Sequence, residues 1–316
     1  MRGKIGIDVG NRFIRTVIPY DNVYEEEPSV IAVSEGERKI VACGNEALSL
    51  AERLPGGIQL VYPFSGERIA DTSYVRSMMS YILKKTHSKG SDVYLSMAGI
   101  QNERTDDIFL NALERAGDVT TIDSTLAAMY GSDIRDASDS VIINIGASTA
   151  DMAVYNNGKA VRTSCVSRAG KSFDKAIMSY LYRNHHARVT AEEAEKIKCE
   201  IGTLVPSGNK LVPSGSKTVE YSCLRPALGL PKKLTVSEDE IVSALEPVFD
   251  ELVDSILDLV SGLQYQPDKL ILTGGSANLR GLAPSLSPLV CMPVEVAAEP
   301  EHSVIRGLNK IMEGRT

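Results

Sequence analysis

Val141-Ile142-Ile143-Asn144-Ile145-Gly146-Ala147-Ser148-Thr149 is an apolar run that breaks into small residues, and Asp151-Met152-Ala153-Val154-Tyr155 resumes the apolar pattern directly after it. A run of this kind on either side of a small-residue turn reads as a β-hairpin. The start of the chain has the same design: Lys4-Ile5-Gly6-Ile7-Asp8-Val9-Gly10-Asn11, then Phe13-Ile14-Arg15-Thr16-Val17-Ile18. Asp8 and Asn144 stand 136 positions apart in a chain of 316 residues. A supersecondary unit recurring at about half the chain length predicts duplicated halves, each opening on such a turn. Glycine in the turn lets the backbone approach a ligand and aim successive N–H groups into one concavity, the arrangement that grips phosphate. Two such turns suit a polyphosphate clamped from both sides.

Between the hairpins, strands alternate with helices. The periodicity predicts helices over 45–53, 71–85, 106–116 and 124–130, with strands over 93–97 and 119–122. In the second half, 173–182, 191–201 and 237–263 are helical in pattern, with Thr190 and Ser237 as caps. Lys269-Leu270-Ile271-Leu272-Thr273 is a further buried strand breaking into Gly274-Gly275-Ser276, followed by 279–286. The VPSG repeat within 205–216 reads as a surface loop.

The chain is long enough for two domains with separate cores. Hydrophobic residues make up 43%, charged residues 24%, and the net charge is −7, which describes a globular protein without the basic stripe that nucleic acid needs. No nucleic-acid partner is expected. Five scattered cysteines, Cys43, Cys165, Cys199, Cys223 and Cys291, show no metal spacing and read as reduced cytoplasmic thiols. His87, His185, His186 and His302 form no ligand pattern and are expected at the surface. The strand pattern starts at once, so no signal peptide is expected, and no apolar run has membrane-spanning length.

The IGIDxG hairpin, the IxxxIGxSTxDxAVY hairpin and the LTGGSxNLRGL turn resemble the nucleotide motifs of actins, sugar kinases and heat-shock chaperone ATPases. Glu27-Pro28-Ser29-Val30, Pro55-Gly56-Gly57-Ile58, Tyr62-Pro63-Phe64, Ala191-Glu192-Glu193, Ile197-Lys198-Cys199-Glu200-Ile201-Gly202 and Gly229-Leu230-Pro231 narrow the resemblance to MreB-type bacterial actins over nearly the whole chain. The resemblance implies an α/β, actin-like fold, with two duplicated α/β domains around a nucleotide cleft holding ATP and Mg2+. Domain I is expected over 1–139, with 300–316 returning to it. Domain II is expected over 140–299, with a small subdomain around 183–236.

The resemblance also implies site residues. Asp8 faces the metal through water, a role for a hard oxygen ligand. Gly10, Asn11 and Arg12 form the first phosphate loop, in which Arg12 departs from the family's small or amide residue. Gly146, Ala147, Ser148 and Thr149 form the second. Gly170 lies before a turn where Lys171 replaces an acid. Glu195 and Lys198 are placed at adenine and ribose, or form a surface pair one helical turn apart. Gly274, Gly275 and Ser276 close over the adenosine. Asp123 matches the residue that orients the attacking water, with one methylene less reach, and equally suits a helix cap. Asn144 stands where the family has aspartate. An amide brings no charge to a metal and accepts no proton as a base, so ATP hydrolysis is expected to be slow or impaired.

Self-association into filaments follows from the resemblance alone. An amphipathic membrane anchor is missing from the first residues, and 84–92, Lys84 to Asp92, reads as a solvated turn, so membrane attachment is not expected. Two further readings stand beside the cytoskeletal filament: an actin-fold chaperone or reactivating factor acting on a protein partner without polymerising, and a scaffold that binds nucleotide without turning it over.

Overall fold

The computed structural model describes residues 2–19, 24–54, 56–65, 68–99, 103–205, 217–224 and 231–315. Pro55, most of the VPSG segment, and Gly229 and Leu230 lie outside them. The chain divides into two compact units, Met1–Arg135 with Glu301–Thr316, and Asp136–Pro300.

In the first unit the chain runs β1 (Lys4–Val9), β2 (Phe13–Val17), β3 (Tyr24–Pro28), β4 (Ile31–Ser34), β5 (Ile40–Cys43), α1 (Gly44–Arg53), β6 (Ile58–Val61), the short pair β7 (Phe64–Ser65) and β8 (Arg68–Ile69), α2 (Thr72–Lys85), β9 (Asp92–Met97), α3 (Glu103–Ala112), β10 (Val119–Thr121) and α4 (Ser124–Gly131). The main sheet has the order β10-β9-β1-β2-β3. β1 pairs antiparallel with β2 and parallel with β9. Ile5, Ile7 and Val9 alternate onto one core with Val75, Met78, Met79 and Ile82 of α2, as period-2 and period-3.6 apolar patterns require.

The second unit runs β11 (Ser140–Ile145), β12 (Ala150–Asn156), β13 (Lys159–Val166), α5 (Gly170–His185), α6 (Ala191–Ile201), β14 (Thr218–Leu224), β15 (Pro231–Ser237), α7 (Glu238–Val260), β16 (Lys269–Thr273), α8 (Leu282–Val290) and β17 (Val294–Val296). Its sheet order, β13-β12-β11-β16-β17, repeats that of the first unit strand for strand. Val141, Ile143, Ile145, Ala150, Met152 and Val154 point into a core shared with α5, α7 and α8. Both capping boxes form: Thr190 with Glu193 at α6, and Ser237 with Glu240 at α7. The chain then closes with α9 (Ser303–Glu313), which packs on α4 and belongs to the first unit.

Several boundaries differ from the sequence expectation. The third helix starts at Glu103 and ends at Ala112 because the chain turns at 113–117 to enter β10, with Ala116 N–H bonded to Leu113 O. Helix α8 starts at Leu282, after a 3-10 turn at Gly275–Asn278 and a left-handed Gly281. His185 and His302 are half-buried rather than at the surface. His185 Nε2 meets Glu240 Oε1 at 2.5 Å, and the His302 ring stacks on Tyr24.

Candidate nucleotide-binding site

Each hairpin turn is closed by one backbone bond in the same place. Gly10 N–H donates to Phe13 O at 3.0 Å, and Gly146 N–H donates to Thr149 O at 2.9 Å. A Cβ on Gly10 would stand 2.7 Å from Phe13 O, so the tightness of the first turn requires glycine. Ala147 and Ser148 occupy the second turn without a positive φ, which explains why side chains are tolerated there.

The first turn is held from outside by Ser29. Its hydroxyl donates to Gly10 O at 2.6 Å and its N–H donates to Arg12 O at 2.8 Å. Ser29 belongs to the Glu27-Pro28-Ser29-Val30 run, whose presence was visible in the sequence but whose positioning role was not. Asn11 is buried, with Oδ1 lacking a hydrogen-bond partner among the described residues. Arg12 is exposed, with its guanidinium 5.0 Å from the centre of the Phe13 ring. Asp8 is 8% exposed, one residue before the end of β1.

The second turn gathers most of the residues nominated in that half. Gly170 N–H donates to Gly146 O at 3.1 Å and Lys171 N–H to Ala147 O at 2.7 Å, which seats the start of α5 on the turn. Ser276 Oγ donates to Gly146 O at 2.9 Å. Gly274 has φ +82, and a Cβ there would lie 2.4 Å from Ile145 O and 2.7 Å from Asn144 Oδ1. A side chain at that position is therefore doubly excluded. Lys198 Nζ forms an ion pair with Asp174, 2.7 Å from Oδ1, and donates to Gly170 O at 3.1 Å. The lysine's ion partner is thus Asp174, three residues into α5 from Lys171, and not Glu195. The sequence offered no sign of that pairing because the two helices meet only in the fold. Glu195 is half-buried on α6.

Ser148 Oγ and Thr149 Oγ1 are buried and lack a hydrogen-bond partner among the described residues. Buried hydroxyls are ordinarily satisfied, so two orphans on one glycine turn, with Asn11 Oδ1 on the equivalent turn, mark places where a polar ligand completes the bonding. Oxygen-rich phosphate is the chemistry that hydroxyls and turn amides serve.

Asp123 is exposed, and its Oδ1 caps α4, accepting from Thr125 N–H at 2.8 Å and Leu126 N–H at 3.1 Å. The capping half of its sequence reading is therefore present. Asn144 is 8% exposed, and Thr273 Oγ1 lies 3.5 Å from its Oδ1.

Residues 2–316 match the family described as MreB/Mbl protein. The chain is 30% identical to the cell shape-determining protein Mbl of Bacillus cereus, over 98% of this chain and 95% of that one. It is 28% identical to the cell shape-determining protein MreB of Escherichia coli, covering 98% and 93%. Among solved structures, MreB5 of Spiroplasma citri bound to ADP superposes with a TM-score of 0.87 at 22% identity, covering 99% of each chain. The MamK double helical filament superposes at 0.79 and 16% identity, also over 99% of each. The fold is therefore actin-like, and with the family match extending over residues 2–316, this chain belongs to the MreB/Mbl family.

Proposed function

We propose that this protein is a cytoskeletal actin homologue that binds ATP with Mg2+ and assembles into cell-shape filaments, hydrolysing the nucleotide slowly. The observation that carries the reading is the second turn, where Gly146, Gly170, Lys198, Gly274 and Ser276 converge beside the orphaned hydroxyls of Ser148 and Thr149. Family membership supports it, as do relatives named for cell shape and fold neighbours bound to ADP or built into a filament.

Gly146 to Thr149 receive phosphate through turn amides and the two hydroxyls. In the other unit, Gly10 to Arg12 form a turn of the same design, with chemistry suited to the same group. Arg12 adds a cation to that loop. The Gly274-Gly275-Ser276 turn and the Glu195–Lys198 helix receive the nucleoside. Asp8 is a buried carboxylate suited to a hard cation or its water shell, and the cation, when bound, offsets polyphosphate charge. Asp123 is the carboxylate that orients water, while its Oδ1 caps α4. Asn144 supplies no charge and accepts no proton, which keeps turnover slow. Filament growth needs a heterologous head-to-tail contact that does not close a ring.

Sedimentation of the purified protein with ATP, with ADP or without nucleotide, with phosphate release followed in the same tubes, tests the reading. The expected result is ATP-dependent pelleting with phosphate release slower than pelleting. Protein that binds ATP yet stays in the supernatant overturns the filament and favours a partner-directed chaperone.

A further inference from the structure

The stretch from Gly274 to Gly281 is tied down on two sides. At its front, Ser276 bonds the phosphate turn through Gly146 O. At its back, Arg280 joins it to two segments distant in the chain. Arg280 Nε donates to Gly202 O at 3.2 Å, just past the end of α6, and a second guanidinium nitrogen donates to Glu238 Oε1 at 2.7 Å, at the start of α7. The Arg280 backbone adds a third tie: Leu204 N–H donates to Arg280 O at 2.9 Å, and Thr203 bridges to Arg280 as neighbours in a parallel sheet do.

Two glycines let these segments close up. A Cβ on Gly202 would stand 2.1 Å from Lys198 O and 3.1 Å from Leu279 Cδ1, and one on Gly281 would stand 2.5 Å from Val205 Cγ2. The side chain of Glu238 is 1% exposed and that of Arg280 33%. The carboxylate is therefore fixed inside the fold, at a helix N-terminus that favours its charge, and the guanidinium is oriented by it. A carboxylate taken out of water needs a cation and hydrogen bonds around it, and here Arg280 brings both. The planar guanidinium serves a carboxylate and a carbonyl at once, in a fixed fork that a lysine ammonium lacks.

We infer that Arg280, oriented by Glu238, is a positioning residue that fixes the separation of the Gly274-Gly275-Ser276 turn from α6, and with it the affinity for the base and ribose of the nucleotide. The inference rests on the nucleotide reading above, in which that turn and α6 receive the nucleoside. Phosphate affinity does not pass through Arg280, because the turn at 146–149 is closed by its own Gly146–Thr149 bond and seated by Gly170 and Lys171. Nucleoside affinity does pass through it. Without the bonds to Gly202 and Glu238 the turn and α6 lose the side-chain tether they share, and groups displaced from their binding geometry lose affinity steeply.

The test is isothermal titration of the full-length wild-type protein, R280M, R280K and the double variant R280M/E238L with ATP and with inorganic tripolyphosphate, both in MgCl2, with thermal melts of each as a fold control. The wild type is expected to bind ATP more tightly than tripolyphosphate. In R280M and R280M/E238L the ATP affinity is expected to fall about tenfold, the scale of one lost charge-assisted hydrogen bond, while tripolyphosphate binds as to the wild type. R280M leaves Glu238 buried without its cation, so the double variant, with apolar side chains in place of the pair, separates loss of position from loss of fold. Equal losses for the two ligands overturn the inference, and so does wild-type ATP affinity in the double variant. R280K keeps a cation beside Glu238 and decides the matter if neither of the others folds: an ATP affinity unchanged there overturns the proposal. A wild type that binds ATP no better than tripolyphosphate overturns it too, since the nucleoside then contributes nothing to position. A wild type that binds neither ligand overturns the nucleotide reading itself, and the role of Arg280 with it.

Discussion

Gly307 on α9 lies so close to Ala127 on α4 that a Cβ on the glycine would stand 1.8 Å from the Ala127 carbonyl oxygen. The relation is reciprocal: a Cβ on Gly131 would stand 1.8 Å from Ser303 O. Small residues spaced four apart on both helices, Ala127 and Gly131 against Ser303 and Gly307, let the two backbones touch. Lys310 then fastens the end of α4, donating to Tyr130 O at 2.7 Å and Asp133 Oδ1 at 2.5 Å. This crossing is what ties the last residues of the chain to the first unit. Gly307→Ala is expected to force the helices apart and lower stability by about 1–3 kcal/mol, the usual cost of overpacking a tight contact. Urea denaturation followed by circular dichroism measures it, and an unchanged midpoint refutes the close crossing.

Glu27 sits 2% exposed at the end of β3, accepting from Asn45 N–H at 2.8 Å at the start of α1 and pairing with Lys85 at the end of α2. Gly44 must be glycine, since with φ +61 its Cβ would overlap the Glu27 carboxylate. Burial pushes the Glu27 carboxyl up, but Lys85 and the Asn45 amide together outweigh it and hold the group below its ordinary 4.5. A carboxyl depressed in the folded state contributes stability that is complete above its unfolded pKa and is lost as pH falls through the folded one. Stability of the wild type is therefore expected to decline below about pH 4.5. Glu27→Gln is expected to be less stable at pH 7 and to show a shallower acid decline. Melts between pH 3 and 7 decide it, and parallel curves for the two proteins would refute the assignment.

Lys198 and Asp174 are 12% and 9% exposed at their side chains, which makes their pair a nearly dry one joining α5 to α6. Lys198→Met removes the cation and leaves Asp174 buried without it, at an expected cost of about 3 kcal/mol. It also releases Gly170 O, so ATP affinity should fall with stability. The double variant Lys198→Met with Asp174→Leu is expected to recover much of the stability without recovering ATP affinity. Recovery of both would mean that the pair is structural only.

Gly274→Ala places a methyl group against Ile145 O and Asn144 Oδ1 and demands a positive φ of an alanine. The turn is expected to open, with ATP binding lost and stability reduced by about 1–3 kcal/mol. Isothermal titration with ATP, alongside a thermal melt, separates the two effects. Gly275→Ala, at a position with no positive φ, is the milder comparison.

Removing the α6 cap with Thr190→Ala is expected to cost about 1 kcal/mol, because Glu193 N–H loses the hydroxyl it donates to at 3.2 Å. Thermal denaturation reads the loss. ATP affinity is expected to stay at the wild-type value, since the cap lies two turns of helix before Lys198.

The two hairpins were legible because each is local: an apolar run, a small-residue turn and a second run need no distant partner to be read. The caps Thr190 and Ser237 were legible for the same reason, since a cap bonds within three residues of itself. The third helix was placed late in the sequence because Asp106 to Ala116 continues an apolar pattern, while the chain's turn into β10 ends the helix at Ala112. The strands β4 to β6 and the hairpin β14–β15 were not read, although β4 with β5 and β14 with β15 pair as neighbours in the chain. Ser29 and Asp174 carried no local sign of a role. Their contacts join residues 17 or more positions apart.

The sequence by itself determined the duplicated hairpins, the glycine turns and the substitution of Asn144 for an acid, because all three are written in consecutive residues. Only the tertiary structure decided that α9 seats on α4 and that Lys198 pairs with Asp174. Those relations are fixed by backbone approach, which arises when segments far apart in the chain pack together and exclude water.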